Sequence, residues 1–320
     1  MTDRTALREA FIERCGWADA EIESFPADFS LRNYFRLHRS GKSVIVMDAP
    51  PEKGEDVRAF VRIDRHLIRL GLSAPEIHVV DEARGFLLLE DFGDATFTRL
   101  LAEGRDEREL YHLAVDSIIA LQSAPDVMDV DTTSYMPHVV ADLEWLLQWY
   151  VPEKLGHPAP DECRARFYQA WDKVLSAMPP PETTLMLRDY HVGNLMLLPD
   201  RTGVASCGLL DFQAAEFAPR PYDLVCLLND NRRDMSDELT QELIERYAAA
   251  LPIGDSFQAW YAVFTVQRMM RVVGNIHRQA GLHGRLQHKA YLPRAHKLLE
   301  QGLAHPMLAP VNDWLDDWIK

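Results

Sequence analysis

One segment restricts what this chain can fold into more than any other. Leu185-Met186-Leu187 is an apolar run that delivers the polar stretch Arg188-Asp189-Tyr190-His191-Val192-Gly193-Asn194, and Leu195-Met196-Leu197-Leu198 is an apolar run that leaves it. After the turn Pro199–Gly203, Gly208-Leu209-Leu210 makes a further run that ends on Asp211-Phe212-Gln213. Short apolar runs bounded by turn residues read as strands. Two carboxylates and one carboxamide therefore lie at strand ends, where neighbouring strands can bring them within a few ångströms.

This β-rich island, 184–212, interrupts an otherwise helical half of the chain. Apolar periodicity predicts helices over 106–122, 138–150 and 161–177 before it, and over 222–229, 236–250, 256–280 and 285–302 after it. A terminal stretch, 310–319, carries Trp314, Leu315, Trp318 and Ile319 as a docking helix. The first third reads differently. A short amphipathic stretch at 4–16 precedes β-rich runs at 29–37 and 43–47, which flank Arg39-Ser40-Gly41-Lys42 as a hairpin. A helix follows from Glu55 to Leu70 with Gly71 as its stop, and then a second hairpin, 77–80 and 86–89. The shift in composition near residue 92 predicts two lobes, 1–92 and 93–320, and 320 residues exceed what one core usually serves.

A net charge of −15 argues against a nucleic-acid or anionic-membrane partner, both of which call for a basic surface. No stretch reaches the ~18 apolar residues of a membrane span. The opening, MTDRTALREAF, is too charged for a signal peptide, and the four cysteines show neither Cys-x-x-Cys nor zinc spacing. A cytoplasmic monomer with reduced thiols is the expectation.

The groups around the island suit phosphoryl transfer. A carboxylate beside the acceptor hydroxyl can orient it and take its proton, and a carboxylate with an amide oxygen can hold Mg2+. Asp189 and Asn194 stand five residues apart, the spacing of a kinase catalytic loop, and Asp211-Phe212-Gln213 occupies the place of Asp-Phe-Gly.

Those residues resemble the aminoglycoside phosphotransferase and choline kinase family, whose loop reads His-Gly-Asp-x-His-x-x-Asn followed by Ile-Asp-Phe/Trp. The resemblance implies an α+β, two-lobed, protein-kinase-like fold, with a small β-rich N-lobe and a larger, mainly helical C-lobe. It implies Asp189 as base, Asn194 and Asp211 as Mg2+ ligands, His191 as the second loop histidine, and Asp223, in Pro219–Leu224, as a brace for the loop. ATP and a small alcohol would be the partners. Glu90 and Phe92 would lie at the hinge that meets adenine. Ser30-Leu31-Arg32-Asn33-Tyr34-Phe35-Arg36-Leu37, the run Met47-Asp48-Ala49-Pro50-Pro51-Glu52, and Arg188-Asp189-Tyr190-His191 look more narrowly like the bacterial anomeric sugar kinases. These phosphorylate the C1 hydroxyl of N-acetylmuramate and N-acetylglucosamine in cell-wall recycling. An aminoglycoside, choline or another alcohol is the alternative acceptor.

Two positions depart from the family pattern. Leu187 stands for the first loop histidine, and Met47 ends the third strand where protein kinases carry the phosphate-gripping Lys. Met47 alone supports a non-catalytic, nucleotide-binding regulator. Arg32 and Asn33, where a glycine-rich loop would lie, are the candidates to supply the missing charge. Arg268, Arg271, Asn275 and Arg278 share a helix face by spacing, which is either solvated or a site for an acceptor carboxylate, and Arg271 is the residue taken for that contact. Arg188 and His191 complete the substrate-binding candidates. Trp145, Trp149 and Tyr150 are either core or a stacking surface for a sugar ring.

Overall fold

The computed structural model describes residues 4–26 and 31–320. In chain order it runs α1 (Arg4–Arg14), β1 (Glu21–Ser24), β2 (Asn33–Arg39), β3 (Lys42–Asp48), α2 (Val57–Arg69), β4 (Ile77–Asp81), β5 (Phe86–Glu90), α3 (Phe97–Ala102), α4 (Glu107–Ser123), α5 (Val151–Leu155) and α6 (Asp161–Ala177). It continues through β6 (Thr183–Met186), β7 (Leu195–Leu197), β8 (Cys207–Leu209), β9 (Glu216–Pro219), α7 (Pro221–Leu228), α8 (Asp237–Ala250), α9 (Phe257–His283), α10 (Leu292–Leu303) and α11 (Ala309–Trp318). Two compact units result: residues 1–131 with 192–215, and residues 132–191 with 216–320. The chain leaves the first unit after 131, returns at 192 and leaves again after 215.

In the first unit an antiparallel sheet is ordered β1-β2-β3-β5-β4. Its register places Phe35 opposite Val46 and Leu37 opposite Val44, with Leu88 across from Val46. By the two-residue period of a strand these side chains share a face. They bury a core with Phe11 and Ile12 of α1 and Phe86 of β5. Both hairpins expected from the sequence form, and the Ser40-Gly41 turn of the first has positive φ at both residues, as a two-residue turn requires. The strand β1 was not expected. Arg32 and Asn33 therefore close the β1–β2 connection, not the β2–β3 turn; the beginning of the expected 29–37 run, with Ser30, lies outside the described residues.

Asp56 caps α2 by accepting from Arg58 N, and an apolar face of Val57, Phe60, Ile63 and Leu67 is buried. Asp64 interrupts that face. It is 1% exposed, and neither carboxylate oxygen has a hydrogen-bond partner among the described residues. Burial, opposed by Arg65 and reinforced by Glu90, raises its pKa from 3.8 to about 7.

In the second unit α9 packs against α7, α10 and the 146–150 turn, while α6 packs against α11. The expected helix over 138–150 is instead two short 3-10 turns and one π-helical turn, Leu146–Tyr150, that runs into α5. Gly274 explains how closely α9 approaches there: a Cβ at this position would lie 2.4 Å from the Leu146 backbone nitrogen. The island also divides differently from expectation. β6 pairs with β9 and β7 with β8, so the strands before and after the polar loop belong to separate two-stranded sheets. No helix of the described residues is long and apolar enough to cross a membrane.

Gly274→Ala is expected to lower stability by about 2 kcal/mol through overpacking against a backbone that cannot yield, read as a lower urea midpoint. Asp64→Asn tests the buried carboxyl. The native Asp64 holds its proton up to about pH 7 while the unfolded chain releases it near 3.8. Its contribution is therefore fully present below that lower value and is lost as pH rises through 7. The neutral amide should make the protein relatively more stable at pH 8 than at pH 5, by about 1–3 kcal/mol. A variant whose stability curve parallels the wild type across that range would refute the assignment.

Candidate active site

The polar loop begins with a buried anchor. Asp223, in the first turn of α7 and 1% exposed, accepts from Leu187 N at 2.6 Å and Arg188 N at 3.0 Å. Burial raises its pKa to about 7, while these two N–H donors pull the other way. Arg188 then takes φ 73° and Asp189 N donates to Leu187 O at 2.9 Å. The left-handed residue turns the chain sharply, at a strain of about 1–3 kcal/mol that the surroundings must hold. They do: Arg188 reaches Asp142 at 2.9 Å and Glu216 at 3.2 Å, and Cys226 Sγ donates to Arg188 O. Arg188 is thus a strut of the loop. Asp142, Glu216 and Cys226 were missed by sequence reasoning because they are 28 to 46 residues away and carry no motif.

Asp189 is held at the end of this turn, with its side chain 39% exposed and Arg271 of α9 at 4.0 Å. Arg271 also stands 3.6 Å from Asp142. Its pKa is raised: burial pulls it down, but Tyr222, Tyr135 and Asp189 more than offset that. The face of α9 that carries Arg268 and Arg271 is therefore not solvated. Arg278, further along, lies over the Trp145 ring at 4.5 Å. Tyr150 belongs to the core at 7% exposure, against His277. His191 is half-buried, and its desolvation with Arg232 nearby lowers its pKa to about 3, so the ring is neutral at physiological pH.

The first unit holds the other candidates. Asn194 closes a short turn after His191, and its carbonyl accepts from Leu210 N at 3.0 Å. Asp211 follows at φ 58°, with its Oδ2 3.5 Å from Asn194 Nδ2 and its Oδ1 2.7 Å from Gln213 Nε2. Phe212 is buried against Phe60 of α2, centroids 4.9 Å apart, which fixes the segment that presents Asp211. Rotation of the Asn194 amide by half a turn brings its oxygen to the nitrogen's place. Asn194 and Asp211 then offer two hard oxygens side by side, a donor set that fits Mg2+. Arg32 reaches toward the same carboxylate at 3.9 Å and is held by Glu55 at 2.9 Å. Asn33 opens β2 opposite Asp48. Met47 is buried at 1% exposure.

Glu90 and Phe92 face a different part of the unit. Glu90 pairs with Arg201 at 2.5 Å, Arg201 stacks over the Phe92 ring, and that ring covers Gly208 so closely that a Cβ there would lie 2.9 Å from it. The side chains brace 201–208.

The model of the phosphotransferase enzyme family matches residues 21–260. This chain belongs to that family. The N-acetylmuramate/N-acetylglucosamine kinase of Caulobacter vibrioides is 31% identical to this phosphotransferase, over 99% of this chain and 97% of the relative. The protein of the same name from Pseudomonas aeruginosa is also 31% identical, over 97% and 93%. Among solved structures, the choline kinase of Streptococcus pneumoniae superposes with a TM-score of 0.66 at 11% identity, covering 92% of this chain and 99% of its own. An ADP-bound aminoglycoside phosphotransferase gives 0.62 at 15% identity, covering 95% and 98%. The α+β, protein-kinase-like fold expected from the sequence is the one present.

Asp223→Ala should strip Leu187 N and Arg188 N of their acceptor while both stay buried, and lower stability by about 3 kcal/mol or more. Chemical denaturation measures it; an unchanged midpoint would remove Asp223 as the anchor.

Proposed function

We propose that this phosphotransferase moves the γ-phosphoryl group of ATP onto the anomeric C1 hydroxyl of N-acetylmuramate and N-acetylglucosamine, in peptidoglycan recycling. The observation that carries the acceptor assignment is the near-complete, mutual coverage of relatives that bear that name. The chemistry is supported by Asp189, Asn194 and Asp211 on a fold of the right family.

Asp189 orients the sugar hydroxyl and receives its proton as the new O–P bond forms and the bond from the γ-phosphorus to ADP breaks. Asn194 and Asp211 would hold Mg2+, whose charge neutralises the phosphate oxygens. Arg32, kept near Asp211 by Glu55, supplies positive charge that the buried Met47 cannot. Asn33 lies beside it in the β1–β2 connection, and Glu90 and Phe92 mark the backbone that meets adenine. Residues 1–92 are then the nucleotide-binding lobe and 93–320 the catalytic and acceptor lobe. Arg188, His191 and Arg271 border the acceptor around Asp189. ATP and the sugar are the partners, and the protein acts as a cytoplasmic monomer.

Coupled ADP release against N-acetylmuramate, N-acetylglucosamine, glucose, choline and kanamycin tests the assignment. Turnover is expected with the two N-acetylated sugars, with phosphorus NMR locating the phosphate on C1. Asp189→Asn should reduce kcat by about 10²–10⁴-fold while ATP still binds. Turnover confined to choline or kanamycin would keep the base and sink the sugar reading.

A further inference from the structure

In the second unit Arg188 adjoins Asp189 in the chain and Arg271 stands 4.0 Å from it, while Arg232 and Arg268 act on His191 two residues on, and three of these four are already committed. Arg188 is paired with Asp142 and Glu216. Arg271 lies between Asp142 and Asp189. Arg232 grips Asp230 with Nε at 2.8 Å and a terminal nitrogen at 2.9 Å. Arg268 differs. It is 4% exposed, its Nε is buried without an acceptor, and among the described residues its guanidinium has neither a hydrogen bond nor a carboxylate within ion-pair distance.

An unpaired buried guanidinium is among the least favourable arrangements a protein can hold, because desolvation of the charge is not offset. The groups whose fields act on Arg268 are Cys226, Arg271, Tyr222 and Asp230, and it acts in turn on Asp223 and on His191. Neither nearby carboxylate serves it: Asp230 is occupied by Arg232, and Asp223 by the backbone of Leu187 and Arg188. His191, two residues beyond Asp189, is neutral and offers no countercharge. The guanidinium therefore has no carboxylate of its own beside the loop that bears the base, although Cys226, Tyr222 and Asp230 act against its burial and hold its pKa up.

We infer that Arg268 is the subsite for a carboxylate on the acceptor, and that it distinguishes N-acetylmuramate from N-acetylglucosamine. The inference rests on the function proposed above. Those two sugars differ by one lactyl ether that ends in a carboxylate, so a site serving both needs one buried cation that only the first fills. Arg268 lies one helical turn from Arg271, which reaches Asp189 at 4.0 Å, so it borders the base that meets the acceptor. Arg271, the residue expected from the sequence, is less suited because two carboxylates already share its charge.

Three substrates decide it: N-acetylmuramate, its methyl ester and N-acetylglucosamine, each with wild type, Arg268→Met and Arg268→Lys. In the wild type the ester should fall well behind the free acid in kcat/KM. Arg268→Met should lose on the order of 100-fold in kcat/KM for the free acid, stay near wild type for N-acetylglucosamine, and treat acid and ester alike. Arg268→Lys should keep part of the preference for the acid. Each comparison is a ratio within one protein, so partial misfolding cancels, and the acid-to-ester ratio of the wild type needs no variant. Equal loss on both sugars would place Arg268 on the phosphoryl group and overturn the inference, as would a wild type indifferent to esterification. Absence of turnover with either sugar in the wild type would instead overturn the function on which it rests.

Discussion

The contact on which the loop depends is the Asp223 carboxylate against two backbone N–H groups, Leu187 and Arg188. A buried acceptor shared between consecutive amides fixes their orientation, and the next peptide has little choice but to turn. Arg188 takes up that turn in a left-handed conformation, and its side chain is tied to Asp142 and Glu216. The charged residue at the strained position is thereby also the clamp that maintains it. Asp189 stands at the end of this frame with Arg271 at 4.0 Å and its carboxyl 39% exposed.

A chain of net charge −15 has more carboxylates than cations, yet the cations that matter here are inside. Arg36 illustrates the pattern in the first unit: it emerges from the core strand β2 to meet Asp91 and Asp94, each at 2.8 Å. Arg271 does the same on α9. An acidic surface with arginine retained in the interior repels anions at long range and accepts them only where an unneutralised guanidinium waits. Selectivity for a small anionic acceptor can arise in such a protein without any basic patch on its exterior.

The parts of the fold that were legible in the sequence are those encoded locally. The hairpins around Gly41 and Gly85 carry turn residues between β-rich runs, and α6 and α8 carry clean periodicity and stops. The meeting of Asn194 with Asp211 was legible because each stands at the end of a short apolar run. What escaped was nonlocal. The segment 138–150 has helical periodicity but must yield to Gly274 pressed against Leu146, and its backbone rewinds into short turns. β9 pairs with β6 thirty residues earlier, and nothing in Glu216–Pro219 announces it. The arginines of α9 could be read as a solvated face or as an acceptor site, because spacing gives direction on a helix but not what lies opposite.

The interleaving of the two units has a consequence for synthesis. The first unit is closed by residues 192–215, well after the second unit has begun at 132. As the chain leaves the ribosome, the sheet of β1 to β5 can pair early, but β7 and β8 are still unmade and Phe60 has no Phe212 to cover it. The early chain carries an exposed apolar face from the end of β5 until Phe212, for as long as it takes to add about 120 residues, on the order of ten seconds at ordinary elongation rates. For this protein the order of translation, and not only the native contacts, sets where chaperones are needed.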